Sequence, residues 1–168
     1  MAQRPEEPSA TPWYREYGLV WPSGRAGAWL ADAHLIATLA VAPPAWLALG
    51  AMVGEGMYLP AGVNAWLTFV ALQPLAEEVT FRGVLQGLLL RGPLSRRCGP
   101  LTWANLATTA AFVAWHVGAQ PLVWALAVAI PSLVFGHLRE RFGSVWPAVI
   151  VHIVFNAGFG VTAWWMQR

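Results

Sequence analysis

Long apolar stretches separated by short polar segments dominate the hydropathy pattern of this chain. Five of them stand out, and each approaches the ~20 residues that a helix needs to cross a bilayer. They cover residues 28–50, 62–90, 101–118, 121–138 and 145–166. The pattern predicts an all-α fold, a polytopic membrane helix bundle of about five transmembrane helices.

The second of these stretches departs from a simple span. Residues 62–90 exceed the length of one bilayer crossing, and their last third contains Arg82 and Gln86. We expect this helix to tilt, or its end to leave the hydrocarbon as an amphipathic segment. Between the third and fourth stretches lies Gly-Ala-Gln-Pro at residues 118–121, a composition that predicts a tight turn.

Composition supports lipid, rather than water, as the solvent of this fold. Hydrophobic residues make up 57% of the 168 residues and charged residues 11%, whereas soluble domains carry about 25% charged residues. The net charge is +2 and every basic residue is an arginine, but the placement of these charges argues against a nucleic-acid partner. The single cysteine, Cys98, excludes an internal disulfide and a cysteine cluster for a metal.

The arginines are distributed unevenly between the two sides of a five-span arrangement. With a cytoplasmic N-terminus, only Arg168 lies on the far side, as the positive-inside rule requires. Residues 1–27 are therefore predicted to be a cytoplasmic segment, disordered over residues 1–12, in a multi-pass protein of the cell (inner) membrane. Tryptophans near the span ends are expected to be interfacial anchors, and Trp46 and Trp115 to fill the core. The cytoplasmic arginines are Arg4, Arg15, Arg25, Arg91, Arg96, Arg97, Arg139 and Arg141.

Ionisable side chains at membrane depth are costly unless they are paired or face a polar cavity, so each one marks a candidate site. The densest group is Glu77, Glu78 and Arg82 in the second stretch. Glu78 and Arg82 are four residues apart, the favourable order for an ion pair on a helix. Glu77 points about 100° away from Glu78, so the two carboxylates need different partners. We expect Glu77 to meet other helices and act as a general base on water. The alternative is that both glutamates pair with arginines and only hold helices together.

Two later stretches add imidazole groups. His152 and Asn156 are four residues apart, so one helix stripe presents both. They could donate hydrogen bonds to an oxyanion, or His152 could ligate a metal; an interhelical hydrogen-bond pair is the alternative. His116 closes the third stretch and could orient the same water. Counted by the rise per residue, His116 lies nearer the far side than Glu77 does, unless the third helix starts several residues late.

Taken in order, these residues form a recognisable motif set. It resembles that of the CPBP family, which includes CAAX prenyl endopeptidases, bacterial intramembrane proteases and bacteriocin-immunity proteins. The resemblance covers about residues 65–160 and implies that residues 28–168 form an intramembrane protease domain. The motifs are Glu77-Glu78-x-x-x-Arg82, Phe112-x-x-x-His116 and His152-x-x-x-Asn156.

The resemblance implies hydrolysis of a peptide bond within or beside the membrane. By this analogy Glu77 activates water with help from His116, and the ion pair of Glu78 with Arg82 holds the architecture. His152 and Asn156 would bind the oxyanion of the scissile peptide. We expect no cofactor, because Asn156 suits an oxyanion hole better than a zinc shell. A zinc-dependent enzyme would instead use Glu77, His116 and His152 as ligands.

The predicted partners are the lipid bilayer and a protein substrate with a membrane-embedded or C-terminal anchor segment. The chain is shorter than the eukaryotic prenyl endopeptidases, which favours a bacterial protein and argues against prenylated substrates. Because compact bacterial relatives include myxosortase-like proteases, C-terminal sorting-signal processing is the expected activity. Two alternatives stay open: a non-catalytic membrane scaffold or bacteriocin-immunity protein, and a proton-coupled transporter that uses Glu77, His116 and His152 as a relay.

Overall fold

Helices account for nearly all of the regular structure, which confirms the all-α fold class. The computed structural model describes residues 12–24 and 27–168, so the predicted disorder of residues 1–12 lies, except at Pro12, outside the described residues. A short helix, α1 (Trp13–Glu16), comes first. Each of the five predicted stretches is then helical: α2 (Ala33–Val53), α3 (residues 62–89), α4 (Trp103–Val117), α5 with α6 (Leu122–Ala127 and Ala129–Phe142) and α7 (Trp146–Met166).

Short turns and one hairpin connect these helices. The hairpin pairs β1 (Arg97–Cys98) with β2 (Leu101–Thr102) in antiparallel register, with Gly99 in the left-handed region at φ 65°. Thr102 then caps α4, because its Oγ1 accepts a hydrogen bond from Asn105 N at 3.0 Å. 3₁₀ turns lie at Ala28–Ala31 and Gly54–Gly56, and a third, Pro93–Ser95, precedes the hairpin.

Helix α3 is one long helix with two π-helical insertions. Its α-helical parts are Gly62–Leu67, Gln73–Glu78 and Gln86–Leu89, and its π-helical parts are Thr68–Leu72 and Val79–Leu85. Such insertions widen the helix locally and occur often at functional sites. The α-helical part between them carries both glutamates of the predicted site.

In the part of the chain that the structure describes, three helices are long and apolar enough to cross a bilayer: Ala33–Val53, Leu122–Phe142 and Trp146–Met166. Helix α4 has 15 residues, fewer than the ~20 of a full crossing, and the two π-helical segments interrupt α3. The number of five spans therefore stays a prediction, as does the orientation that depends on it.

Helix α7 lies at the centre of the bundle, where it packs against α2, α3 and α6. Small residues let neighbouring helices come close to it. A Cβ atom at Gly158 would clash with the ring of Trp46, whose Nε1 donates a hydrogen bond to Phe155 O at 3.1 Å. Because α7 packs against three helices, its polar side chains face other helices. The buried core between α2, α6 and α7 consists of Leu35, Phe135, Leu138, Ala148 and Val151.

One of the two tryptophans expected in the core lies elsewhere. Trp46 packs on α7, as its contact with Gly158 requires. The side chain of Trp115 is 68% exposed, so the prediction for this residue is wrong. Adjacent residues on a helix point about 100° apart. Because His116 is buried, Trp115 faces the surroundings of the bundle.

An ion pair connects the start of α2 with the end of α6. The Oδ1 atom of Asp32 caps α2 by accepting a hydrogen bond from His34 N at 2.9 Å. Arg141 donates to the same carboxylate from Nε at 2.9 Å and from Nη2 at 2.7 Å. The hydrogen bonds from Arg141 lower the pKa of Asp32 from 3.8 to about 2.

Replacing Asp32 by asparagine should make the protein less stable at neutral pH and remove one source of pH dependence. Asparagine still caps the helix but loses the charge that binds Arg141. A carboxylate whose pKa is lowered by folding stabilises the protein above its unfolded pKa, and this contribution is lost as the pH falls through the folded value. We expect the difference in Tm between wild type and Asp32→Asn, measured in detergent, to shrink from about pH 5 toward about pH 2. Equal Tm values at pH 7 would contradict this prediction.

Candidate active site

Glu78 binds two partners through one oxygen atom. Its Oε1 lies 3.2 Å from Arg82 Nη1 and 2.8 Å from His152 Nδ1. The predicted ion pair between Glu78 and Arg82 is therefore present, with both side chains fully buried. Because an ionised carboxylate only accepts hydrogen bonds, Nδ1 of His152 is the donor. Glu78 thus fixes the orientation of an imidazole on α7.

Glu77 faces the other nitrogen of the same imidazole. Its Oε2 lies 3.8 Å from His152 Nε2, and its Oε1 accepts a hydrogen bond from Gln73 Nε2 at 3.0 Å. Glu77 meets another helix, as predicted, but the expectation of separate partners for the two glutamates is wrong. The ring nitrogens point in different directions, so one imidazole reaches two carboxylates that leave α3 about 100° apart.

Arg82 is enclosed by groups from two other helices. Its Nη2 donates hydrogen bonds to Ser132 Oγ at 2.7 Å and to Ser132 O at 3.2 Å. The guanidinium carbon lies 4.5 Å from the ring centroid of Phe112 and 5.4 Å from that of Phe135. Aromatic faces attract such a cation. Arg82 therefore connects α3 with α4 and α6. Among the described residues, its Nε and Nη1 and the Oε2 of Glu78 make no hydrogen bond, so the buried ion pair is only partly satisfied.

Aromatic rings bring the two histidines of the predicted site to one cluster. Phe135 stacks on His152 at a centroid distance of 4.8 Å and an interplanar angle of 26°. Phe112 lies 4.4 Å from the ring of His116 and 6.5 Å from that of His152. A single phenylalanine thus contacts both imidazoles. Helix α4 begins at Trp103, later than predicted. A later start of this helix moves His116 toward the depth of Glu77.

His116 is buried on α4, and among the described residues one of its ring nitrogens makes no hydrogen bond. Its Nδ1 lies 2.8 Å from Phe112 O. A carbonyl oxygen only accepts, so Nδ1 carries the hydrogen and Nε2 keeps a lone pair. Among the described residues, the histidine–glutamate contacts at the cluster are those of His152. The partnership of His116 with Glu77 stays a prediction.

Asn156 supports the distorted part of α3. Its Nδ2 donates a hydrogen bond at 2.8 Å to the carbonyl oxygen of Phe69, which lies in the π-helical segment Thr68–Leu72. His152 and Asn156 therefore face the same helix, in agreement with their four-residue spacing. The amide nitrogen carries two hydrogens, so one of them is left for another acceptor.

The residues suited to a zinc site do not come together in this conformation. Zinc in a catalytic site is held by three protein ligands at about 2.0–2.3 Å. Across residues 12–24 and 27–168, no three side chains of histidine, cysteine, aspartate or glutamate are grouped closely enough to hold a metal ion. Glu77, His116 and His152 therefore do not fit the zinc alternative as they are arranged here.

Three further side chains belong to the cluster but were not predicted: Gln73, Ser132 and Phe135. Gln73 had a signal in the sequence, since it is an amide in an apolar stretch, four residues before Glu77. Ser132 and Phe135 had none. Serine and phenylalanine are ordinary residues in membrane helices, and their role depends on how α6 packs against α3.

The comparison with protein-family models identifies a family for this chain. The family model described as type II CAAX prenyl endopeptidase, Rce1-like, matches residues 59–158, more than half of the chain. Neither the comparison with curated proteins nor that with solved structures returned a match. The matched range contains Glu77, Glu78, Arg82, His116, His152 and Asn156. The predicted CPBP membership is confirmed. This chain, which has apolar helices long enough to cross a bilayer, belongs to the Rce1-like type II CAAX prenyl endopeptidases, a family of membrane-integral proteases.

Proposed function

We propose that this chain is an intramembrane endopeptidase of the glutamic type, in which Glu77 activates water for attack on a peptide carbonyl. The observation that carries this proposal is the position of His152, 2.8 Å from Glu78 and 3.8 Å from Glu77. This arrangement supplies a buried carboxylate beside an oriented N–H donor. Amide hydrolysis requires such a base and such a donor.

In the proposed reaction, Glu77 takes a proton from water while the water oxygen attacks the carbonyl carbon. The carbonyl oxygen becomes an oxyanion and accepts hydrogen bonds from His152 Nε2 and from the second N–H of Asn156. Nε2 of His116 accepts the other hydrogen of the attacking water and holds it in place. When the C–N bond breaks, Glu77 gives its proton to the leaving amine. Glu78 orients His152 throughout.

Donation from Nε2 requires that His152 carries hydrogens on both ring nitrogens and hence a positive charge. This charge suits the cluster, because the two carboxylates are then balanced by Arg82 and the imidazolium. An unbalanced charge is costly in a region of low dielectric. A charged donor also stabilises an oxyanion more strongly than a neutral one.

The substrate that we propose is a protein of the cell (inner) membrane with a membrane-embedded or C-terminal anchor segment. Helix α3, which carries Glu77, also has large apolar side chains on its outer surface, where Leu72 is 60% exposed and Leu75 38% exposed. Glu77 and His152 are themselves buried. Such a position supports lateral approach of a substrate segment from the bilayer, with limited access of bulk water.

The proposal is tested by comparing membrane proteomes of the source organism with the gene intact, deleted, and restored as Glu77→Gln. We expect a set of proteins to keep their C-terminal anchor segments in the second and third strains, as measured by mass spectrometry of C-terminal peptides. Normal processing in the Glu77→Gln strain would contradict the glutamic mechanism. Normal processing in the deletion strain would favour a scaffold. Cleavage by the purified protein that stops with a chelator and returns with zinc would contradict the metal-free reaction.

A further inference from the structure

Among the described residues, Gln73 is the one side chain of the same helix that forms a hydrogen bond with Glu77. The two residues lie in the α-helical segment Gln73–Glu78, between the two π-helical parts of α3. A four-residue spacing therefore brings them together without distortion. The hydrogen bond from Gln73 Nε2 reaches Oε1 of Glu77 at 3.0 Å, whereas Oε2 faces His152 at 3.8 Å. The carboxylate thus has one neighbour on each oxygen.

We propose that Gln73 is a positioning residue that occupies Oε1 of Glu77 and leaves Oε2, on the side of His152, as the atom that takes the proton from water. This inference rests on the proposed function. A hydrogen bond to one oxygen stabilises the ionised carboxylate and fixes its rotation about the last side-chain bond, which is otherwise soft. Oε2 is then held next to the donor that binds the oxyanion.

The position of Gln73 at the surface of the bundle agrees with this role. Its side chain is exposed, although an uncompensated amide in hydrocarbon is costly. The hydrogen bond to Glu77 satisfies one of its two N–H donors. Gln73 therefore lies at the open edge of the cluster, between Glu77 and the region from which a membrane segment would approach.

The test compares Gln73→Met and Gln73→Glu with wild type in liposomes, using a reporter protein with a C-terminal anchor helix. Methionine has a similar length but no donor, and glutamate places a second carboxylate beside the first. We expect kcat to fall about 10-fold to 100-fold, as for a misplaced catalytic group, with KM unchanged. A lower kcat with KM unchanged is the result expected when a reacting group is misplaced while substrate binding is kept.

A matched control is Asn64→Leu, which removes another exposed amide from α3. In the part of the chain that the structure describes, no hydrogen bond is made by the side chain of Asn64. Its kcat and KM should equal those of wild type. An unchanged kcat in both Gln73 variants would overturn the inference.

A second measurement separates this inference from the proposed function. Infrared difference spectra at one fixed pH contain the carboxylate stretching bands of Glu77, identified as the bands that Glu77→Gln removes. We expect these bands to shift in Gln73→Met relative to wild type, because the hydrogen bond to Oε1 is lost, whether or not the protein cleaves the reporter. Unchanged bands would overturn the role of Gln73. Full cleavage by Glu77→Gln would instead overturn the proposed function.

Discussion

Replacing Glu77 by glutamine is expected to slow peptide cleavage by about 10²–10⁴-fold, the usual contribution of a general base. Glutamine preserves the size and polarity of the side chain but cannot take a proton from water. His152→Ala should have an effect of similar size, and the double variant should cost little more, because residues that act as a unit are not additive. Single-turnover cleavage of an anchor reporter in liposomes measures all three rates.

Glu140→Gln is a matched control for this experiment. Glu140 also accepts a hydrogen bond from a glutamine amide, that of Gln86 at 2.8 Å, and another from Thr102 Oγ1 at 2.6 Å. It lies on α6, outside the cluster around His152. We expect this variant to cleave at close to the wild-type rate. If Glu77→Gln does so as well, while accumulating normally in the membrane, the general-base role is wrong and the scaffold alternative gains support.

Contacts within one helix could be predicted from the sequence, because they depend only on helical spacing. The ion pair of Glu78 with Arg82 follows from their four-residue separation. The common direction of His152 and Asn156 follows in the same way, and both contact α3. The five apolar stretches likewise fixed the approximate positions of the helices.

Contacts between helices could not be predicted in this way. Whether one imidazole lies between two carboxylates depends on the separation and rotation of α3 and α7, and these result from packing of the whole bundle. The π-helical insertions add to the difficulty, since they change which residues of α3 share a face. For the same reason Phe135 gave no signal, although it stacks directly on His152.

Removing the charge of Arg82 should produce the largest loss of stability in the cluster. Arg82→Met leaves the fully buried Glu78 with His152 as its remaining partner, so that two carboxylates share one cation, and Ser132 loses its hydrogen-bond donor. Breaking a buried ion pair on one side costs about 3–5 kcal/mol. We expect the free energy of unfolding, measured in detergent with a chemical denaturant, to fall by about this amount. A change below about 1 kcal/mol would show that Arg82 has no such role.

The double variant Glu78→Gln/Arg82→Met separates the structural role of this ion pair from its role in orienting His152. It removes both charges, so no buried carboxylate is left uncompensated at this position, and much of the lost stability should return. Cleavage should not return, because the hydrogen bond from His152 Nδ1 to an ionised carboxylate, 2.8 Å long in the wild-type protein, is gone. Recovery of both properties would mean that the pair only holds helices together. Recovery of stability alone is the result we expect if Glu78 also holds the imidazole in the orientation that cleavage needs.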